Sequence, residues 1–191
     1  MCIIIMPKKV GVQKIKLQKF DLDSLLNDST VLILGRRRSG KSWLIRDLMY
    51  HKRFMKQVLV FSGTENVSAF MSDFVPDVFI HSEFSSEILE NLLETQRKKI
   101  REAKRKNESE DGKTSKNNMA IVMDDMLHDA KSWTRDRGVK ELFFNGRHYN
   151  LLYVVALQYV YGLPPEFRDN LDYIFIYPQE NPQAKTHSFS L

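Results

Sequence analysis

The chain has 191 residues, of which 42% are hydrophobic and 28% charged, as is typical of one globular domain with a hydrophobic core. It contains a single cysteine, Cys2, which excludes a disulfide framework and a cysteine-rich metal site. The formal net charge of +5 is compatible with nucleic-acid contact but does not require it. No apolar stretch has the length of a transmembrane helix, so we expect an intracellular protein without a membrane partner.

Short apolar runs rich in β-branched and aromatic residues recur along the chain and predict strands that are buried on both faces. These runs are 31–34, 58–61, 120–123, 152–157 and 173–177, with 78–80 as a weaker sixth candidate. Helical stripes alternate with them, at Leu44, Ile45, Leu48 and Met49, at Ile88, Leu89, Leu92 and Leu93, and at Val139, Leu142 and Phe143. The alternation predicts an α/β fold whose mostly parallel sheet has helices on both faces.

We divide the chain into an N-terminal extension (1–19), one domain (20–177) and an unstructured tail (178–191). Within the domain, the segment 97–118 departs from the strand–helix alternation, because seven of the residues from Arg97 to Lys106 are basic and the rest of the segment is polar. We expect the basic part to prolong a helix as a solvated arm and the polar part to form a mobile loop. Clustered Lys and Arg side chains neutralise phosphates, so the arm is a candidate DNA contact, and a charged linker is the alternative.

A phosphate-binding loop (P-loop) lies between the first buried run and the first helical stripe. Residues 35–42 follow the pattern Gly-x-x-x-x-Gly-Lys-Ser, and their backbone N–H groups converge at a helix N-terminus, where the dipole favours anions. Lys41 is expected to reach the β- and γ-phosphates, and Ser42 to hold Mg²⁺. We therefore predict ATP with Mg²⁺ as the ligand. The predicted nucleotide-binding residues are Gly35, Arg36, Arg37, Arg38, Ser39, Gly40, Lys41 and Ser42.

Two acids, Asp124 and Asp125, end the apolar run 120–123, at the strand edge where open α/β sheets collect ligands. Asp124 is predicted to bind in the magnesium shell, and Asp125 to orient or deprotonate an attacking water. A P-loop kinase passes phosphate to a bound acceptor and needs no such second acid, so the pair favours hydrolysis over transfer. Gln158 directly follows the next run and is predicted to hydrogen-bond the attacking water and the γ-phosphate. The alternative is that Gln158 is only an exposed polar residue at the end of a strand.

Two arginines, Arg147 and Arg168, are candidates for neutralising the charge that develops on the γ-phosphate oxygens. Either arginine is able to act within its own chain or from a neighbouring subunit, and a structural or surface role is the alternative for each. We take Arg147 as the predicted catalytic residue, together with Lys41, Asp125 and Gln158.

With these elements in order, the chain resembles the genome-packaging ATPases of large double-stranded DNA viruses. These are poxvirus-type packaging ATPases of the FtsK–HerA branch of P-loop ATPases. The matches span about residues 20 to 177 and are most selective at 142–150, which contains Asn145-Gly146-Arg147-His148, and at the strand-end Gln158. Two departures stand out: family members commonly have Gly where Arg38 stands, and cellular relatives usually have Glu where Asp125 stands.

The resemblance implies a RecA-like core in which the strand ending at Gln158 lies between the P-loop strand and the Asp124 strand, so that Gln158 faces the triphosphate. It also implies a homo-oligomeric ring around double-stranded DNA, with hydrolysis driving translocation of the genome into a preformed capsid. Capsid vertex proteins are then further partners, and the host cytoplasm and the virion are the expected locations. The alternatives to this motor are a nucleoside or nucleotide kinase and a nucleotide-binding assembly factor without motor activity.

Overall fold

The computed structural model describes residues 3–4, 18–55, 57–64, 69–107, 118–126 and 133–178. Its strands are β1 (Ile3–Ile4), β2 (Thr30–Leu34), β3 (Gln57–Ser62), β4 (Ile80–His81), β5 (Met119–Asp124), β6 (Leu151–Leu157) and β7 (Tyr173–Ile176). Its α-helices are α1 (Lys41–His51), α2 (Ser86–Asn107), α3 (Arg137–Asn145) and α4 (Pro165–Arg168). Short 3₁₀ helices cover Leu22–Ser24, Met71–Asp73, Asp77–Phe79, Gly146–Tyr149 and Val160–Gly162.

The strands form one sheet in the order β1-β7-β2-β6-β5-β3-β4. Strands β2 to β7 are all parallel to their neighbours, and β1 pairs antiparallel with β7 at one edge. Strand β6 therefore lies between β2 and β5, which is the arrangement that the resemblance implied. Because all six strands run in one direction, the P-loop and the ends of β5 and β6 meet at the C-terminal edge of the sheet.

The sheet is covered on both faces, and this explains why its central strands appear in the sequence as continuous apolar runs. On one face, Leu44, Ile45, Leu48 and Met49 of α1 pack against alternate residues of the strands, including Val31 and Val154. On the other face, Leu89 and Leu93 of α2 and Val139, Leu142 and Phe143 of α3 pack against the remaining residues, including Leu32 and Tyr153. The predicted α/β fold with helices on both faces is confirmed.

The weaker candidate strand at 78–80 is wrong in its bounds. Asp77–Phe79 forms a 3₁₀ turn directly after Pro76, and only Ile80–His81 pairs with β3. Val78 and Phe79 are 72% and 44% exposed, so these apolar side chains are not buried as those of a central strand would be. The proline fixes φ and starts the turn, which shortens the strand.

The basic run after Arg97 continues α2 to Asn107, as predicted, but its first residues are not a solvated arm. Arg97 is paired with Glu141 of α3, and Lys99 Nζ donates to Gln57 Oε1 at 2.6 Å. Gln57 begins β3, so α2 reaches the N-terminal edge of the sheet at this point and extends beyond it for its last eight residues. A solvated arm is thus confined to the end of the helix.

Parts of the predicted domain division lie outside the described residues, namely 1–2 and 5–17 of the extension, the polar loop at 108–117 and the tail at 179–191. Within the predicted extension, Ile3–Ile4 joins the sheet through its pairing with β7. None of the described helices combines the length and the apolar character that crossing a membrane requires.

Candidate nucleotide site

The P-loop joins the end of β2 to the start of α1. Gly35 N donates to Leu157 O at 3.0 Å, which ties the first residue of the loop to β6. Gly40 has a φ of 97°, in the left-handed region that favours glycine, and the helix begins at the next residue. The conformation required at Gly40 and the close approach at Gly35, where an added Cβ would lie 2.5 Å from Ser39 Oγ, explain the two glycines of the motif.

Arg38 also has a positive φ, of 60°. At this position the resemblance led us to expect Gly, and a φ of 60° lies in the left-handed region that glycine adopts most readily. Arg36, Arg37 and Arg38 are all exposed and present three cationic side chains on the outside of the loop.

Lys41 is buried and lies across the loop, where its Nζ donates to Arg36 O at 3.1 Å. Burial lowers the pKa of Lys41 and is the largest influence on it. The carboxylates of Asp124 and Asp125 oppose this decrease, and Arg37 adds to it. A triphosphate in the loop would therefore supply the negative charge that favours the ammonium form of Lys41.

Ser42 and Asp124 come together at the centre of the site. Ser42 Oγ donates to Asp124 Oδ2 at 3.1 Å, and Asp124 is only 2% exposed. A hydroxyl and a carboxylate are the oxygen donors that Mg²⁺ takes from a protein when substrate phosphates and water complete its shell. The pair therefore fits a magnesium ion, although the remaining ligands would have to come from the nucleotide and solvent.

Asp125 and Gln158 form the third part of the site. Gln158 Nε2 donates to Asp125 Oδ1 at 2.5 Å, and Asp125 N donates to Ala156 O at 3.2 Å. Asp125 has a φ of 54°, an uncommon conformation that Asp tolerates better than most residues and that turns the chain sharply after β5. The strand order and these bonds hold a carboxylate and an amide next to each other, beside the phosphate loop.

Sequence reasoning missed one residue of the site, Tyr177. Its N–H donates to Leu34 O at 2.8 Å and its hydroxyl donates to Gly40 O at 3.0 Å, so it contacts the P-loop at both ends. A Cβ added to Gly35 would lie 2.9 Å from Tyr177 Cβ. An aromatic residue ending an apolar run was the available signal, but the pairing of β7 with the P-loop strand was needed to place it.

One of the two candidate arginines, Arg147, lies at the other edge of the sheet. Arg147 is paired with Asp172, whose Oδ2 accepts a hydrogen bond from Thr30 N at 2.8 Å. Thr30 begins β2, so Arg147 is at the N-terminal edge of the sheet, roughly 16 Å of strand away from the P-loop. Arg168 ends α4, where the neighbouring Phe167 stacks on Phe143 of α3 at 4.2 Å between ring centroids. Arg147 is therefore far from the P-loop of its own chain, so a role from a neighbouring subunit and a structural role stay open for it, and Arg168 stays a candidate.

The family model described as the poxvirus A32 protein matches residues 17–184 of this chain. The chain belongs to the poxvirus A32 protein family. This confirms the poxvirus-type resemblance inferred from the sequence.

Curated viral relatives support the same membership. The chain is 38% identical to protein L437 of Acanthamoeba polyphaga mimivirus, over 87% of this chain and 58% of the relative. It is 33% identical to protein 015R of frog virus 3 (isolate Goorha), over 96% of this chain and 54% of the relative. Both relatives are described as uncharacterized. The chain spans a little over half the length of these relatives.

Solved structures show the fold. The DNA-packaging ATPase B204 of Sulfolobus turreted icosahedral virus matches with a TM-score of 0.60 at 19% identity, over 87% of this chain and 83% of that chain. ATPases 2 and 3 of EssC from Geobacillus thermodenitrificans match with a TM-score of 0.63 at 13% identity, over 84% of this chain and 34% of that chain. The A32-family chain therefore has the P-loop ATPase fold that its sequence predicted.

Proposed function

We propose that this A32-family chain hydrolyses ATP and couples hydrolysis to the translocation of double-stranded DNA, so that a viral genome is packaged into a capsid. The observation that carries the proposal is the juxtaposition of Lys41, Ser42 and Asp124 with the bonded pair Asp125–Gln158 at one edge of the sheet. Residues suited to cradle phosphate, to bind magnesium and to act as a base thus lie close together, which supports hydrolysis.

Each residue of the site has its own role in the proposed reaction. The loop N–H groups and Lys41 bind the β- and γ-phosphates, and Ser42 and Asp124 would hold Mg²⁺, which neutralises charge on the phosphate oxygens when bound. Asp125 accepts a proton from water as the water oxygen bonds to the γ-phosphorus and the bond to the β-phosphate oxygen breaks, releasing ADP. Gln158 holds the Asp125 carboxylate in position and lies next to where that water must be.

The partners belong to the same proposal. B204 is described as a DNA-packaging ATPase, and we extend that activity to this chain on the basis of family, fold and site together. A homo-oligomeric ring, capsid vertex proteins, and a location in the host cytoplasm and the virion follow as proposals. The kinase alternative is less well supported, because the basic run that would serve as its lid is the end of α2, at the sheet edge opposite the P-loop.

Phosphate release from ATP, measured with and without double-stranded DNA, tests the proposal. We expect release that DNA stimulates, reduced about 100-fold or more in Lys41→Ala and in Asp125→Asn. Lys140→Ala and Asp169→Asn, which change exposed residues of the same types, serve as matched controls and should keep the activity.

Two outcomes would contradict the motor. Radiolabelled phosphate that appears only on an added nucleoside would indicate a kinase. Binding of ATP without turnover, in the presence and absence of DNA, would indicate an assembly factor instead.

A further inference from the structure

Tyr177 is the first residue after β7, and β7 pairs with the P-loop strand on the side away from β6 and β5. Asp125 and Gln158 follow β5 and β6, so the reacting phosphate must lie toward those strands. The opposite end of a bound triphosphate, which carries the nucleoside, then points toward β7. Strand order alone therefore places Tyr177 on the nucleoside side of the loop.

The Tyr177 ring is held in one position by the loop that it covers. Its hydroxyl donates to Gly40 O at 3.0 Å, and its ring atoms lie 3.6 to 3.8 Å from the position of a Cβ at Gly40. A ring that is already fixed loses little conformational freedom when a second flat ring stacks on it.

Tyr177 is among the residues that line two open clefts. One has a volume of about 570 Å³ and is bounded by the P-loop arginines, Gln158, Tyr159, Tyr177 and Pro178. The other has a volume of about 820 Å³ and runs from Tyr177 along the outside of α1, past Trp43 and Asp47. The first cleft extends to Gln158, on the side of the reacting phosphate, whereas the lining of the second does not include Gln158. Both volumes are within the range of small-molecule sites, so a nucleoside has room beside Tyr177.

We propose that Tyr177 is the wall of a nucleobase subsite and that the purine ring of the nucleotide stacks on it. The inference rests on the proposed function, because it assumes that a nucleoside triphosphate occupies the P-loop. Stacking recognises the flat face of a base and not the donors and acceptors on its edge. The subsite therefore accepts adenine and guanine alike and favours both over the smaller pyrimidines.

Binding to the whole chain distinguishes a base contact from support of the loop. The ligands are a non-hydrolysable ATP analogue and inorganic tripolyphosphate, which lacks a base, each with Mg²⁺ and measured by calorimetry. Tyr177→Ala should lower the affinity for the ATP analogue by about 10-fold or more and change the affinity for tripolyphosphate by less than about twofold. Tyr177→Phe keeps the ring and loses only the bond to Gly40, so it should retain most of the affinity for the analogue.

An exposed tyrosine outside the two clefts, Tyr161, provides the matched control Tyr161→Ala, which should leave both affinities unchanged. In the unmodified chain, the GTP analogue should bind within about threefold of the ATP analogue, and the CTP analogue more weakly than either. If Tyr177→Ala lost affinity for the ATP analogue and for tripolyphosphate equally, the subsite would be overturned, because Tyr177 would then only support the P-loop. Unchanged binding of both ligands in that variant would overturn it as well.

Failure of the proposed function gives a different result. If the unmodified chain binds the analogue through Tyr177 but releases no phosphate, the subsite stands and the ATPase proposal fails. If phosphate is released and Tyr177→Ala binds the analogue normally, the subsite fails and the ATPase proposal stands.

Discussion

Arg147 is the residue whose position in the structure differs most from its predicted role. Its guanidinium binds Asp172 at the edge of the sheet opposite the P-loop, and its side chain is 66% exposed. An exposed arginine at that edge is able to reach the γ-phosphate of a neighbouring copy but not its own. We therefore expect Arg147→Ala to lower phosphate release by about 1,000-fold, the lower limit for an arginine finger.

A mixing experiment tests whether Arg147 acts on a neighbour. Arg147→Ala subunits keep an intact P-loop, and Lys41→Ala subunits keep Arg147, so a mixture of the two inactive variants should regain activity. Asp172→Asn is the control for a structural role: it weakens the ion pair but leaves an oxygen to accept from Thr30 N. Equal losses of activity in Asp172→Asn and Arg147→Ala would show that Arg147 only anchors the start of β2.

At the scale of elements, a cluster around Glu141 joins α2 to α3 and to the 3₁₀ turn at Gly146–Tyr149. Glu141 accepts from Tyr149 Oη at 2.5 Å and is paired with Arg97, while Gln96 Nε2 donates to Tyr149 O at 2.8 Å. Burial raises the pKa of Glu141, but the hydrogen bonds from Tyr149 and Arg97 outweigh it and leave that pKa below its ordinary value of 4.5. The cluster thus holds the Asn-Gly-Arg-His segment against the body of the domain.

A lowered pKa means that the ionised Glu141 contributes stability above its unfolded-state pKa and loses that contribution as the pH falls through its folded-state pKa. We expect Glu141→Gln to reduce the free energy of unfolding by about 1 kcal/mol at pH 7, since Arg97 is partly exposed. The difference from the unmodified chain should shrink as the pH falls below about 4.5, near the unfolded-state pKa of Glu. Urea unfolding at pH 7, 4 and 3 measures this, with Glu94→Gln, an exposed residue of α2, as the control. A difference that is constant with pH would indicate lost packing and not lost charge.

Local patterns explain which elements could be predicted. The α1 stripe and the central strands follow directly from periodicity, because burial on one helix face or on both strand faces imposes it. Asp136 caps α3 by accepting from Val139 N at 3.0 Å, a helix start that the sequence analysis did not identify. Long-range pairs such as Lys99–Gln57 and Tyr177–Gly40 have no local pattern, so neither the docked part of the basic run nor the role of Tyr177 was predictable.

The same distinction between local and long-range information applies to the residues of the candidate site. Lys41, Ser42 and the acids after β5 could be placed because each motif includes the strand end that positions it. The contact between Asp125 and Gln158 required the strand order, which came from the family resemblance and not from spacing. The position of Arg147 required the tertiary pairing of Asp172 with Thr30, which no motif carries.

At the scale of the whole molecule, the nucleotide site and the basic end of α2 lie at opposite edges of the sheet. The eight residues of α2 after Lys99 extend about 12 Å past the N-terminal edge, at the α-helical rise per residue. Lys98 beside this edge and Arg101 and Lys104 beyond it are exposed and are available to DNA phosphates. If DNA binds there, hydrolysis at one edge must act on DNA at the other through the sheet and its helices.

DNA affinity measured as a function of salt tests this arrangement. Each phosphate contact contributes about 0.9 to the slope of log affinity against log salt, so replacing Lys98, Arg101 and Lys104 by Gln should flatten the slope by up to about 3. Replacing Lys19, Arg135 and Lys140, which are exposed and lie elsewhere, removes the same charge and is the matched control. Equal changes of slope in the two triple variants would mean that net charge and not the end of α2 attracts the DNA. A slope that is unchanged in both variants would place the DNA contact on another surface. A flatter slope in the α2 variant alone would locate the contact at the edge opposite the P-loop.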